Sequence, residues 1–207
     1  MIGDKLIITE FHKKSAEIIF NRLTEKHPGL TKPVAVSIAG ESGCGKSETA
    51  HCLAEIIKSK NKKAIILGQD DYFKLPPKSN HNKREEDINW VGTDEVKLEL
   101  MDEHIKMLKE RKPAQIHKPL VYYEENKIGE EILNSENPDV IIAEGTYTTL
   151  LQNTDLRAFI NRTYIDTKLN RLKRARDSQS DFIENVLKIE HRIISEHKKS
   201  ADIILND

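Results

Sequence analysis

Eight consecutive residues, Gly40-Glu41-Ser42-Gly43-Cys44-Gly45-Lys46-Ser47, satisfy the pattern G-x-x-x-x-G-K-[ST]. Glycines at these positions free the backbone to aim several N–H groups at one point, which suits a bound phosphate. Lys46 is then expected to reach the β and γ phosphates of a nucleotide, and the Ser47 hydroxyl to ligate Mg²⁺. Two further groups of residues have types suited to the same chemistry. Asp70-Asp71 and Glu144 each follow a short apolar run, and carboxylates just past the ends of parallel strands face the ligand crevice. Mg²⁺ takes oxygen ligands, commonly one or two carboxylates with phosphates and water. A carboxylate can also orient an acceptor hydroxyl and take its proton during phosphoryl transfer. The residues alone leave open which aspartate does so. The run Leu169-Asn170-Arg171-Leu172-Lys173-Arg174-Ala175-Arg176-Asp177 carries four cations. Such a run is a solvated helix face or a lid whose arginines offset charge on a transferring phosphoryl group. On a helix Arg171 and Arg174 share one face, with Lys173 and Arg176 on another, so the four do not act together.

These groups must be positioned by short strands and helices. Residues 34–39 (VAVSIA) read as a buried strand leading into the glycine loop, and residues 46 to about 60 as a helix with Ala50, Leu53, Ala54 and Ile57 on its apolar side. Residues 64–68 (AIILG) and 140–143 read as further buried strands ending at the carboxylates, with others at 163–165 and 202–205. Residues 10–26 form an amphipathic helix with Phe11, Ile18, Ile19 and Leu23 as its stripe. Thr93 opens another helix, with Val96, Leu100, Ile105 and Leu108 inward. Residues 181–198 form a third, with Phe182, Val186, Ile189 and Ile193 inward. Residues 74–92, with Pro76-Pro77, read as a loop, and 114–134 as extended or looped. Alternating apolar strands and helices predict an α/β fold, a parallel sheet of about five strands covered on both faces. The organisation expected is one domain over 1–207, with a helical extension at 1–30, a substrate-side insertion at 74–134 and a lid at 168–182.

Composition narrows the function classes. The 207 residues carry 33 Lys plus Arg against 34 Asp plus Glu, a net charge of -1, without the basic excess of a general nucleic-acid binder. Hydrophobic residues make up 37%, enough for a core, and no apolar stretch approaches a membrane span or a signal peptide. A cytoplasmic setting with no nucleic-acid or membrane partner is expected, and a homo-oligomer is compatible with the sequence. The two cysteines, Cys44 and Cys52, sit about 12 Å apart along one helix, too far for a disulfide. Cys44 reads as a small spacer in the loop.

Most of the chain, roughly residues 34–205, resembles the uridine kinase and phosphoribulokinase group of P-loop kinases. The resemblance rests on GESGCGKSE at 40–48, ILGQDDYF at 66–73, DVIIAEGTY at 139–147, RLKRARD at 171–177 and SADIIL at 200–205. It implies ATP and Mg²⁺ as cofactors, a small-molecule acceptor, Asp70 as the general base, and Ser47, Asp70 and Glu144 at the metal site. It also implies nucleotide contacts along the loop and from the lid pair Arg176-Asp177; the candidate nucleotide contacts are Gly40 to Glu48 with Arg171, Arg174 and Arg176. On the acceptor side the sequence departs from the group. The aspartate is followed by Asp71-Tyr72-Phe73 rather than a short residue and Phe-Tyr. Residues 119–124 lack the group's Tyr-Asp-Phe and His-Ser-Arg, its Phe-Asp is unmatched around Trp90, and the lid continues as Ser178-Gln179-Ser180. Candidate acceptor contacts are therefore Asp71, Tyr72, His117, Tyr122 and Tyr123. Lys46, Asp70 and Arg176 would carry the transfer. Two other readings are compatible with the same motifs: a non-catalytic nucleotide-binding module, and a nucleoside monophosphate kinase, which would need a basic pocket for the acceptor phosphate.

Overall fold

The structure, a computed structural model, describes residues 6–112, 114–134, 138–169, 171 and 180–206. Its centre is β1 (Val34–Gly40), whose seven residues are all buried. β5 (Val140–Glu144) and β6 (Leu156–Ile160) pair with it in parallel on either side. β2 (Ala64–Gly68) and β7 (Ile203–Leu205) add the edges, giving the order β2-β5-β1-β6-β7. Because side chains alternate along a strand, each central strand feeds two cores. Val34, Val36, Ile38, Ile142 and Ala158 join Ala16, Ile19 and Leu23 of α1 (Glu10–Lys26) and Leu53 and Ile57 of α2 (Lys46–Ser59). Ala35, Ala39, Ile141, Ala143 and Phe159 face the other way. There they meet Met101, Ile105 and Leu108 of α4 (Leu98–Glu110) and Ile194 of α5 (Asp181–His197). The sheet is therefore covered on both faces, and all five strands aim their carboxyl ends at one rim.

Several expected elements differ from those found. The fourth strand is Leu156–Ile160, not 163–165. The latter residues form a turn in which Asp166 Oδ2 accepts from the Thr163 N–H and hydroxyl, each at 2.8 Å. β2 is an edge strand with only Leu67 fully buried, because no strand among the described residues pairs with its outer side. Residues 74–92 are not a plain loop. They contain α3 (Pro77–Glu86), whose single buried residue is Asn80, so it carries no apolar period to read. Its Pro77 occupies the first helical turn, where a missing N–H costs nothing. Residues 115–134 form an antiparallel hairpin, β3 (Gln115–Tyr122) against β4 (Lys127–Asn134). The helix expected from Thr93 begins at Leu98, and Val96 instead bridges Phe73. In α1, Ile18 is half exposed while His12 and Ser15 are buried. In α5, Val186, Leu187 and Ile194 are the buried residues. Cys44 and Cys52 are both free and buried. Among the described residues, no helix is long and apolar enough to cross a membrane.

Candidate active site at the carboxyl rim of the sheet

The loop between β1 and α2 is shaped by two glycines in particular. Gly45 has φ 102° and caps α2. Gly40 lies so close to its surroundings that a Cβ would fall 2.7 Å from Cys44 Sγ and 2.9 Å from the Ile160 carbonyl oxygen. Lys46 Nζ crosses the loop to donate to the Glu41 carbonyl oxygen at 2.9 Å. Burial pushes the Cys44 thiol up, away from reactivity, so Cys44 is a packing residue of the loop. The side chain of Glu41 is committed to structure. Its Oε2 accepts from Tyr164 N at 2.6 Å and its Oε1 lies 2.7 Å from Nδ1 of His191 on α5. The Thr167 hydroxyl donates to the Ser42 carbonyl oxygen at 2.9 Å, and Arg171 donates to the Tyr164 carbonyl and the Thr167 hydroxyl with its stem against Gly43. Glu48 is buried, and its Oε1 accepts from Ile7 N of the N-terminal segment at 3.5 Å. Arg174 and Arg176 lie outside the described residues.

The carboxylates past β2 and β5 separate into distinct roles. Ser47 donates its hydroxyl to Glu144 Oε1 at 3.2 Å. Burial and then the like charge of Asp70 push the Glu144 carboxyl up to about 7, against the opposing pull of Lys46 and the Ser47 hydrogen bond. Asp70 is exposed within the 3₁₀ turn Gln69–Tyr72. Gln69 locks that turn to the end of β5, its Oε1 accepting from Tyr147 N at 2.7 Å and its side chain filling the space over Gly145. Successive residues of a 3₁₀ turn point about 120° apart, so the next two side chains leave the rim. Asp71 is buried, with Oδ2 accepting from Lys118 Nζ at 2.7 Å and Oδ1 from Val121 N at 3.0 Å. Tyr72 is fully buried with its hydroxyl 2.9 Å from His104 Nδ1. Neither side chain lines the cleft that opens beside Asp70, and a partner inside the protein holds each polar group.

The shift at Glu144 has a consequence for stability. A carboxyl raised in the folded state contributes stability below the unfolded value near 4.5, and that contribution is lost as pH rises through about 7. In the metal-free, nucleotide-free protein, Glu144→Gln should remove a pH-dependent contribution on the order of 2 kcal/mol between about pH 5 and pH 8. Thermal unfolding of both proteins across that range reads it: the variant gains relative stability as pH rises.

Beside Asp70 opens a cleft of about 670 Å³, bounded by Ser42 of the loop, Phe73, Asn80 and Arg84 of the α3 region, Tyr123 of the hairpin turn and Ile183 of α5. Of the acceptor contacts expected from sequence, Tyr123 alone is found here. His117 is exposed on the outer face of the hairpin, with Nδ1 2.7 Å from Glu130, and Tyr122 packs over Gly129 across the hairpin. Asn80 carries no periodic signal and becomes legible only through its partners. Fully buried Glu95 accepts from Asn80 Nδ2 and from Arg84 Nε at 2.8 Å, Trp90 Nε1 donates to Asn80 Oδ1 at 2.9 Å, and Arg84 also reaches Glu190 of α5 at 3.1 Å. Trp90 is therefore a brace of the cleft wall.

A glycine loop, a hydroxyl and two carboxylates on one rim of a β2-β5-β1-β6-β7 sheet define a phosphoryl-transfer site. Comparison with known proteins settles its lineage: residues 35–204 match the Phosphoribulokinase / Uridine kinase family. The chain belongs to this family. It is 31% identical over 191 residues to a uridine kinase of Bacillus thuringiensis (strain Al Hakam), covering 86% of this chain and 87% of that protein. It is 28% identical over 190 residues to a uridine kinase of Lactobacillus helveticus (strain DPC 4571), covering 85% and 87%. The fold is also that of phosphoribulokinase from Rhodobacter spheroides, with a TM-score of 0.64 at 12% identity over 86% of this chain and 71% of the other. This kinase is thus an ATP-dependent phosphotransferase acting on a hydroxyl of a small molecule.

Proposed function

We propose that this kinase phosphorylates an uncharged nucleoside or sugar hydroxyl, with Asp70 as the general base and Mg²⁺ held between Ser47, Glu144 and the nucleotide phosphates. One observation carries the reading: Asp70 is the exposed carboxylate at the junction of the loop and the cleft, while Asp71 is consumed by Lys118. The metal site fits a hard cation, since a hydroxyl and a carboxylate oxygen meet at 3.2 Å with Asp70 close enough to raise Glu144. Among the described residues no group of three or more His, Cys, Asp or Glu side chains could hold a metal alone. Mg²⁺ relies on phosphates and water for most of its ligands. Bound there, the ion would neutralise charge on the β and γ phosphates. Asp70 would take the proton of the acceptor hydroxyl as its oxygen bonds to the γ phosphorus and the bond to the β-phosphate oxygen breaks. Lys46 would leave the Glu41 carbonyl to meet the developing charge.

The paired state of Arg84 in the cleft wall favours an uncharged acceptor. Arg84 stands between two carboxylates, Glu95 and Glu190, so its charge is already compensated and offers little to a phosphate dianion. That argues against a nucleoside monophosphate as acceptor. Transfer from ATP with Mg²⁺ should be measured across nucleosides, sugars, sugar acids and nucleoside monophosphates. Uridine is the first acceptor to test, given the relatives' activity. Uncharged acceptors should exceed monophosphates in kcat/KM by about tenfold or more, and the reverse order would overturn this assignment.

A further inference from the structure

α1 lies wholly before the family match, which begins at residue 35, yet it reaches the phosphate loop. Thr9 caps the helix, and its N–H donates to His12 Nδ1 at 3.0 Å, with its hydroxyl 3.3 Å from the same atom. An imidazole accepting at Nδ1 carries its proton on Nε2 when neutral, so the cap sets both tautomer and ring orientation. The ring is 6% exposed. Its far edge lies against Gly45: a Cβ there would fall 2.7 Å from His12 Cδ2 and closer still to Nε2. Gly45 is the left-handed residue at which the loop becomes α2, next to Lys46. The neighbouring Phe11 takes the Arg162 guanidinium over its ring at 3.7 Å. Arg162 follows the end of β6, where Ile160 is in register with Gly40 at the start of the loop. One turn of α1 therefore touches the far end of the loop at Gly45, and also meets Arg162, two residues past the strand paired with the loop's near end.

We infer that His12 is a positioning residue of the ATP site, closing the back of the Gly45 turn so that the loop amides keep their aim before nucleotide arrives. The physical reason is preorganisation. Phosphate binding by backbone N–H groups depends on a fixed φ at a glycine that has no side chain of its own to hold it, and the imidazole fills that space from another helix. Without the ring, the turn has room to relax, and binding must then meet the cost of reordering it.

The inference rests on Gly40–Ser47 being the ATP cradle, and binding of a fluorescent ATP analogue to the unaltered protein checks that separately. His12→Asn keeps an oxygen acceptor for Thr9 N and loses the ring. It should weaken binding of the analogue by about tenfold while KM for the acceptor stays within twofold. His12→Ala should weaken it at least as much, and imidazole added to that variant should restore part of the loss by refilling the gap. Leu23→Ala, on the core face of the same helix, should lower Tm but leave nucleotide affinity within twofold. Affinity within twofold of the unaltered protein in a folded His12→Asn variant would overturn the inference. So would an equal loss of affinity in Leu23→Ala, which would mean that α1 acts only through general stability.

Discussion

Asp70→Asn should lower kcat by about 10²–10⁴-fold, the range set by removing a general base, while the dissociation constant for ATP stays within about twofold. Asn keeps the size and can still orient a hydroxyl, but it cannot take the proton. The turn should survive the change, because Gln69 and not Asp70 ties it to β5, and because Asp70 is exposed. Removing that negative charge also takes away one of the two influences that raise Glu144, so the Glu144 carboxyl should move down from about 7. Single-turnover transfer and titration calorimetry, run on the same preparation, read the two halves of the expectation. Full activity in Asp70→Asn would remove the base assignment. It would not transfer it readily to Asp71, whose two oxygens are engaged by Lys118 and Val121.

Lys118→Met should be the most destabilising single change outside the apolar core. Lys118 and Asp71 are 4% and 5% exposed, a buried pair at 2.7 Å, and Glu131 at 3.3 Å adds a more exposed partner. Breaking such a pair from one side leaves an uncompensated buried charge and costs about 3–5 kcal/mol. For a domain of this size that corresponds to a fall in Tm of roughly 6–20 °C. Asp71→Asn combined with Lys118→Met removes both charges, keeps an acceptor for Val121 N and should recover much of the loss. A double-mutant cycle on chemical denaturation reads the coupling directly. The pair also fastens the hairpin to the turn that carries Asp70, and Val121 and Tyr123 of that hairpin line the cleft. Lys118→Met should therefore raise KM for the acceptor and leave nucleotide binding near its original strength. A variant of unchanged Tm would show that the pair contributes no net stability.

Asp70 and Asp71 also show where reading a sequence stops. Their place after an apolar strand is enough to put both near the rim, but adjacent residues in a 3₁₀ turn diverge. Which one faces solvent depends on Lys118, 47 residues further along. Tyr72 was expected at the acceptor for the same reason of adjacency, and it is the turn's inward residue. Glu41 sits inside the phosphate loop, yet its carboxylate is held by His191, 150 residues away. The α3 segment was unreadable because its buried contacts are polar. Asn80 and Arg84 are satisfied by Glu95, Trp90 and Glu190, and no apolar periodicity marks such a helix.

The loop Gly40–Ser47, the strands that lead to Asp70 and Glu144, and the two-faced sheet were determined by the sequence itself. Each depends on contacts within a few residues or on a simple alternation of apolar side chains. The cleft, the choice between the two aspartates and the bracing of the loop by His12 were decided only by the tertiary structure. Those features are assembled from α1, α3, the hairpin and α5, whose polar groups are satisfied by partners far away in the chain, and local pattern carries no record of such pairings.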